Sequence, residues 1–191
     1  MSSPTTPPRP PELVTERLVV RLPEPSESGS VLAFYERNRD HLAAWDPDRP
    51  AAFYTDDYWK SQLAVRRREV TEGRSAYFAL HLRDDPTATI GTASLSGVTR
   101  GVMQACHLGF SIDAQHEGRG LMREGLEVVL GFAFGELQLH RVMAAYQPHN
   151  LRSAALLERL GFEREGFARD YLFLGGAWRD HVLTALVRPG E

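Results

Sequence analysis

The chain holds one cysteine, Cys106. An internal disulfide framework is therefore excluded, and a reducing, cytoplasmic setting fits. No apolar run approaches the roughly 20 residues of a membrane-spanning helix, so no membrane partner is expected. Positive charge is not in excess: 22 Lys and Arg stand against 25 Asp and Glu, for a net charge of −3. That balance argues against a dedicated nucleic-acid site, which carries a strongly basic face. The 7 histidines show no metal-ligand spacing, and a lone cysteine does not make a structural zinc site, so no metal is expected. The G-x-S-x-G elbow of serine hydrolases and the H-E-x-x-H of zinc proteases are both missing. Internal repeats and a second domain boundary are missing too.

What is present suits one globular domain. Of 191 residues, 42% are hydrophobic and 25% charged, enough apolar content for a full core. Met1 to Pro11 is rich in Pro, Ser and Thr and lacks the apolar stretch of a signal peptide. A disordered tail is expected over 1–11 and a single domain over 12–188.

Hydrophobic periodicity orders the elements. Arg17 to Leu22 reads as a strand ended by Pro23 and Pro25. Ser26 to Asn38 reads as a helix, and His41 to Pro50 as a turn-rich connector. Thr55 caps a second helix that runs to about Glu72 and is stopped by Gly73. Its apolar positions are Tyr58, Leu63, Val65 and Val70, and Arg66-Arg67-Arg68 reads as a solvated face. Ala76 to Leu82, Ala88 to Val98 and Gln104 to Ile112 are strands. The helix from Leu121 shows the clearest pattern, with Met122, Leu126, Val129, Ala133 and Leu137 on one face. Gly125, Gly131 and Gly135 weaken it, and close packing would account for them. His140 to Tyr146 is a strand, Asn150 caps a short helix ending at Leu160-Gly161, and Gly175-Gly176 joins two strands in a hairpin. The class is α/β, a mixed central sheet flanked by helices.

Gln115-His116-Glu117-Gly118-Arg119-Gly120 lies between the third of these strands and the best-patterned helix. Glycines there allow positive φ and close approach to a ligand. The unpaired N–H groups of the helix's first turn and its dipole favour a phosphate. The third glycine of a dinucleotide fingerprint is missing, and so is the Lys-Ser/Thr of a P-loop.

A strand, Gln-x-x-Gly-x-Gly, a helix, a strand, Asn150, a helix and Gly161-Phe162 follow in that order. This succession resembles the GCN5-related N-acetyltransferase (GNAT) superfamily from about Leu13 to Val187. Asn38, Trp45, Ala105 to Ile112, Tyr146 to Asn150 and Trp178 to Leu186 resemble its ribosomal-protein alanine N-acetyltransferase branch. The resemblance implies acetyl-CoA held between splayed strands as co-substrate. It also implies acetyl transfer to the N-terminal α-amine of a small-subunit ribosomal protein, and that protein or the ribosome as partner. A small-amine acetyltransferase and a non-catalytic CoA-binding ribosome assembly factor stand as alternatives, and the oligomeric state is left open.

The same resemblance implies the site residues. The pyrophosphate would lie on Gln115, Glu117, Gly118, Arg119, Gly120, Leu121 and Met122, bound mainly by backbone N–H groups, with Arg119 or Arg123 near a phosphate. Phe110, Ser111 and Ile112 would offer backbone groups to the pantetheine and to the oxyanion. Asn150 would sit near the pantetheine, and Ser153 near the thiol, because Leu157 stands where many relatives carry a proton-donating tyrosine. His107 is the candidate base, on the strand where many relatives have glutamate. Asn38, Trp45 and Tyr171 are candidates for the acceptor pocket, with Asp46, Asp48 and Asp170 as attractors of a cationic N-terminus. Cys106 and His107 are adjacent on a strand and point to opposite faces, against joint action.

Overall fold

In the computed structural model, which describes residues 12–188 and 190, the strands form one eight-stranded sheet. Its elements, in chain order, are β1 (Glu12–Val14), β2 (Leu18–Arg21), α1 (Ser28–Arg37), α2 (Arg39–Leu42), α3 (Asp56–Thr71), β3 (Ala76–Leu82), β4 (Thr89–Thr99), β5 (Ala105–Ile112), α4 (Leu121–Gly135), β6 (Arg141–Tyr146), α5 (Leu151–Arg159), β7 (Glu163–Leu174) and β8 (Ala177–Val187). The spatial order is β1-β2-β3-β4-β5-β6-β8-β7. All pairs are antiparallel except β5 with β6. The tail expected over 1–11 lies outside the described residues.

Alternation along β3 sorts the helices onto two faces. Phe78 meets Phe132 of α4 edge to face, with ring centroids 5.5 Å apart. Tyr77, one residue earlier, lies under the Arg66 guanidinium of α3. Helix α4 thus covers one face, and α1 with α3 covers the other. The expected stripe on α4 is buried from Met122 to Ala133, while Leu137 lies beyond the helix end. Of its glycines only Gly125 is closely packed: a Cβ there would stand 2.6 Å from Leu80 Cδ2, whereas Gly131 and Gly135 have open space.

On α3 the expectation needs correcting. Trp59, Leu63 and Val70 are the buried residues, and Val65 is exposed. Trp59, fully buried, stacks on Tyr35 of α1 at 4.9 Å and 11° and meets Phe53 edge to face. Three aromatic rings from separate segments therefore fix α3 against α1. Arg39–Leu42 forms a short helix that overlaps the start of the turn-rich connector expected from His41.

Among the described residues, no helix is long and apolar enough to cross a membrane, and no group of three or more His, Cys, Asp or Glu could hold a metal ion.

Candidate active site

The parallel pairing of β5 with β6 is confined to Ala105–Arg141, Cys106–Val142 and His107–Met143. Beyond His107, β5 stays paired with β4 as far as Ile112. Beyond Met143, β6 stays paired with β8 as far as Tyr146. Each strand keeps its outer partner, and the two diverge. A wedge opens in the middle of the sheet, walled by the C-terminal halves of both strands.

The glycine loop sits at the mouth of that wedge. Gly118 and Gly120 adopt φ of 70° and 75°, a left-handed backbone that costs other residues about 1 kcal/mol or more. No side chain caps α4 at Gly120. The first N–H groups of α4 have no acceptor within the helix. Leu121 and Met122 bury their side chains in the core, so these two present only backbone to a ligand. A Cβ at Gly118 would meet nothing within 4 Å, so this side of the loop is open. Donors that lack partners, a positive dipole end and free space together fit a pyrophosphate.

Side chains from remote segments hold the loop. Asp113 is nearly fully buried and ion-pairs with Arg37, which also donates to the Thr89 carbonyl. Asp113 Oδ1 accepts from the Gln115 N–H at 2.9 Å. Asn38 Oδ1 accepts from the Ala114 N–H at 3.0 Å, and its Nδ2 donates to the Phe34 carbonyl at 2.9 Å. On the far side Arg17 donates to the Arg119 carbonyl at 2.9 Å and pairs with Glu124 at 2.6 Å. Glu117 pairs with Arg152 at the start of α5 and lies 3.3 Å from His41 Nε2. Burial pushes the Asp113 carboxyl up, but Arg37, the Gln115 N–H and Asn38 outweigh it and hold it below the ordinary carboxylate range. Glu124 is likewise held down, by Thr15 and Arg17 against its own burial.

Asp113→Asn removes the charge-assisted bonds and is expected to cost about 1.5–3 kcal/mol of stability. A carboxyl with a depressed folded pKa stabilises above its unfolded value near 3.9 and loses that contribution as pH falls through the folded value. Urea unfolding at several pH values should show the gap between parent and D113N undiminished from pH 7 to about pH 4. Below that it should shrink.

A cleft of about 400 Å³ opens on the α1–α3 face, beside the wedge. Its floor spans three strands in register, with Tyr77 opposite Ser94 opposite Gly109, and Thr92 opposite Ser111. Thr92 Oγ1 and Ser111 Oγ are 2.8 Å apart. Gln62, Val65, Arg66 and Glu69 of α3 form one wall, and Asp46 with Arg49 closes another. Beside Tyr77 the strands bring Thr92, Ser94, Ser96, Gly109 and Ser111 to the floor, so the cleft reaches the β5 backbone from Gly109 to Ser111. That stretch of β5 is the part that has lost β6.

The residues expected at the site fall into three groups. Phe110, Ser111, Ile112, Gln115, Glu117, Gly118, Arg119, Gly120, Leu121 and Met122 follow one another from the wedge into the loop and the start of α4. Asn150 caps α5 by accepting from the Ser153 N–H at 3.1 Å, which puts both at the α5 end of the wedge. His107 is exposed at the last β5–β6 pair, where the wedge begins.

The acceptor candidates are scattered. Asn38 is buried and clamps the loop from beneath. Trp45 packs on His149 at 5.2 Å, next to the turn that leads into α5, and Gln147 Nε2 donates to the Ala44 carbonyl at 3.1 Å beside it. Tyr171 is on β7, at the edge of the sheet and exposed, with its ring 5.5 Å from that of His181. None of the three is among the residues lining the cleft. Asp46 lines it, paired with Arg49 at 3.0 Å, and Asp170 belongs to the β7–β8 hairpin, its N–H bonded to Asp180. Arg123 pairs with Glu127 at 2.9 Å along α4.

Arg17, Arg37, Asp113 and Arg66 were not singled out for the site. For Asp113 a signal existed, an aspartate two residues before Gln115 at a strand end, where Asx caps recur. The arginines carried none, since their partners lie far away in sequence. Cys106 is fully buried and burial pushes its thiol up to about 12, which removes it as a nucleophile.

Known proteins resemble this chain over most of its length. A family model described as Acetyltransferase (GNAT) domain matches residues 17–163. An Escherichia coli protein called [Ribosomal protein uS5]-alanine N-acetyltransferase is 42% identical over 177 residues, covering 93% of this chain and 91% of its own length. The crystal structure of the ribosomal-protein-S5-alanine acetyltransferase from Vibrio fischeri superposes with a TM-score of 0.89 at 38% identity, over 93% of this chain and 97% of that one. Mycobacterium smegmatis RimJ, solved in complex with CoA-disulfide, gives 0.82 at 28% identity, over 89% and 81%.

Proposed function

The chain belongs to the GNAT acetyltransferase family, and from that premise we propose that it moves acetyl from acetyl-CoA to the N-terminal α-amine of an alanine-initiated ribosomal protein of the small subunit. The 42% identical relative carries that activity in its name. The observation that carries the reading is the wedge between β5 and β6, with the uncapped N-terminus of α4 at its mouth and a cleft reaching β5 from the opposite face. Two substrates can then approach the same strand from two sides.

Acetyl-CoA would lie with its pyrophosphate on the N–H groups from Glu117 to Met122 and its pantetheine in the wedge. Glu117 takes part through position: bound to Arg152, it ties the loop to α5 across the wedge. The acceptor would enter through the cleft. An α-amine has a pKa near 7.7–8.0 and is partly neutral at pH 7, so mild base assistance suffices. His107 takes the proton as nitrogen bonds to the carbonyl carbon. The C–S bond breaks, and the hydroxyl of Ser153 gives the departing sulfur a proton or a hydrogen bond.

Ser153→Ala is expected to lower kcat about tenfold or more, the value of one hydrogen bond to a charged atom. His107→Ala should lower the rate at pH 7 and recover most of it at pH 9, where the amine is neutral unaided. If neither variant changes kcat, both assignments fail. The acceptor is tested by mass analysis of alanine-initiated peptides and small amines incubated with acetyl-CoA. Faster modification of the small amines, antibiotics or polyamines, would displace the ribosomal assignment.

A further inference from the structure

Arg66 was expected on a solvated helix face. Instead it is half-buried in the cleft wall, its guanidinium carbon 3.6 Å from the Tyr77 ring centroid and 5.5 Å from that of Trp59. A guanidinium stacked flat on a ring keeps its N–H groups in plane at the rim, where they can meet a carboxylate side-on. The other charged groups of the cleft are engaged: Asp46 with Arg49 at 3.0 Å, and Glu69 with the Ser75 hydroxyl at 2.7 Å. Among the described residues Arg66 has no carboxylate partner.

The second observation is independent. Tyr77 is 4% exposed and lines the same cleft, and its hydroxyl is buried beside those of Tyr35 and Thr92 but makes no well-formed hydrogen bond among the described residues. An unsatisfied buried hydroxyl costs about 1–3 kcal/mol. A ligand oxygen would remove that cost. Burial raises the Tyr77 phenol well above its ordinary value of 10, so it stays a donor throughout the working range.

We propose that Arg66 and Tyr77 form an anion subsite that reads a side-chain carboxylate, Asp or Glu, within the first four residues of the acceptor peptide. This rests on the reading of the cleft as the path of a peptide N-terminus. Geometry sets the distance. Tyr77 and Gly109 are in register across β4, two strand spacings or about 10 Å apart. Three extended residues span about that length. A peptide whose amine reaches the wedge at Gly109 therefore carries its third or fourth residue, or a long side chain from the second, over Arg66.

The test uses the full chain and alanine-initiated peptides in which positions 2 to 5 are Gln, each replaced in turn by Glu. One position among 2 to 4 should raise kcat/KM about tenfold. Arg66→Gln should bring that Glu/Gln ratio close to one. Tyr77→Phe, which changes only the hydroxyl, should reduce it about threefold. Each ratio is taken within one variant, so a partly unfolded preparation does not alter it. Calorimetric binding of the same peptides in the presence of CoA should give the same order without turnover. A parent ratio near one, a preference for Lys, or a ratio that survives Arg66→Gln overturns the subsite and leaves the acetyltransferase reading standing. Absence of acetylation on every peptide, with small amines modified, overturns the peptide reading itself.

Discussion

Gly109→Val is expected to reduce acetyl transfer by about a hundredfold or more while the protein stays folded. Gly109 has ordinary strand backbone and pairs only with Ser94 of β4, so valine, a good strand former, meets no backbone obstacle. A Cβ at 109 would stand 3.1 Å from Ser94 Oγ, a small side chain that can turn away. The isopropyl group then occupies the floor of the cleft at the one strand both substrates must reach. An acceptor displaced by about 1 Å loses of the order of a hundredfold in rate. Circular dichroism and the urea midpoint should match the parent, and kcat/KM for the peptide should fall. CoA binding, which uses the other side of the strand, should stay within about threefold. Parent-like turnover of G109V would mean that the acceptor does not approach over Gly109.

Trp59→Ala carries the largest expected loss of stability, about 3–5 kcal/mol, from removing a fully buried indole. A typical domain has only 5–15 kcal/mol in all, so the urea midpoint should drop by about a fifth or more. The indole N–H has no partner among the described residues, and losing that unsatisfied donor offsets a small part of the cost. The effect should extend to function, because the same indole backs Tyr35 and borders Arg66, both in the cleft wall. Trp59→Phe separates the two: it keeps an aromatic contact with Tyr35 and should recover more than half of the lost stability. A midpoint unchanged in W59A would show that α3 is not anchored to the core at this residue.

The strands and helices were readable because their patterns are local. Ala76–Leu82 ends where the sequence expects, and Thr55, Asn150 and Gly175-Gly176 act as the caps and turn their chemistry predicts. The glycine loop was readable for the same reason: positive φ and a helix start need only a few neighbouring residues. Two errors on α3 share one cause. Val65 and Arg66 read as core and surface by residue type. The cleft decided otherwise, since a helix wall facing a cavity exposes an apolar side chain and stacks a charged one. Asn38 was singled out for an acceptor pocket, but its amide is spent holding Ala114 and Phe34.

By itself the sequence determined the order of the main elements, the glycine loop between β5 and the helix that follows it, and the opposite facing of Cys106 and His107. Each follows from periodicity, backbone freedom or alternation within about ten residues. Tertiary structure decided that β5 and β6 part company after His107, that Arg17, Arg37 and Asp113 hold the loop, and that Arg66 enters the cleft. These depend on contacts between segments up to about a hundred residues apart, for example Arg17 with Arg119 and Glu124. No pattern along the chain encodes which distant charge will find which, because that is settled only when the sheet has placed both.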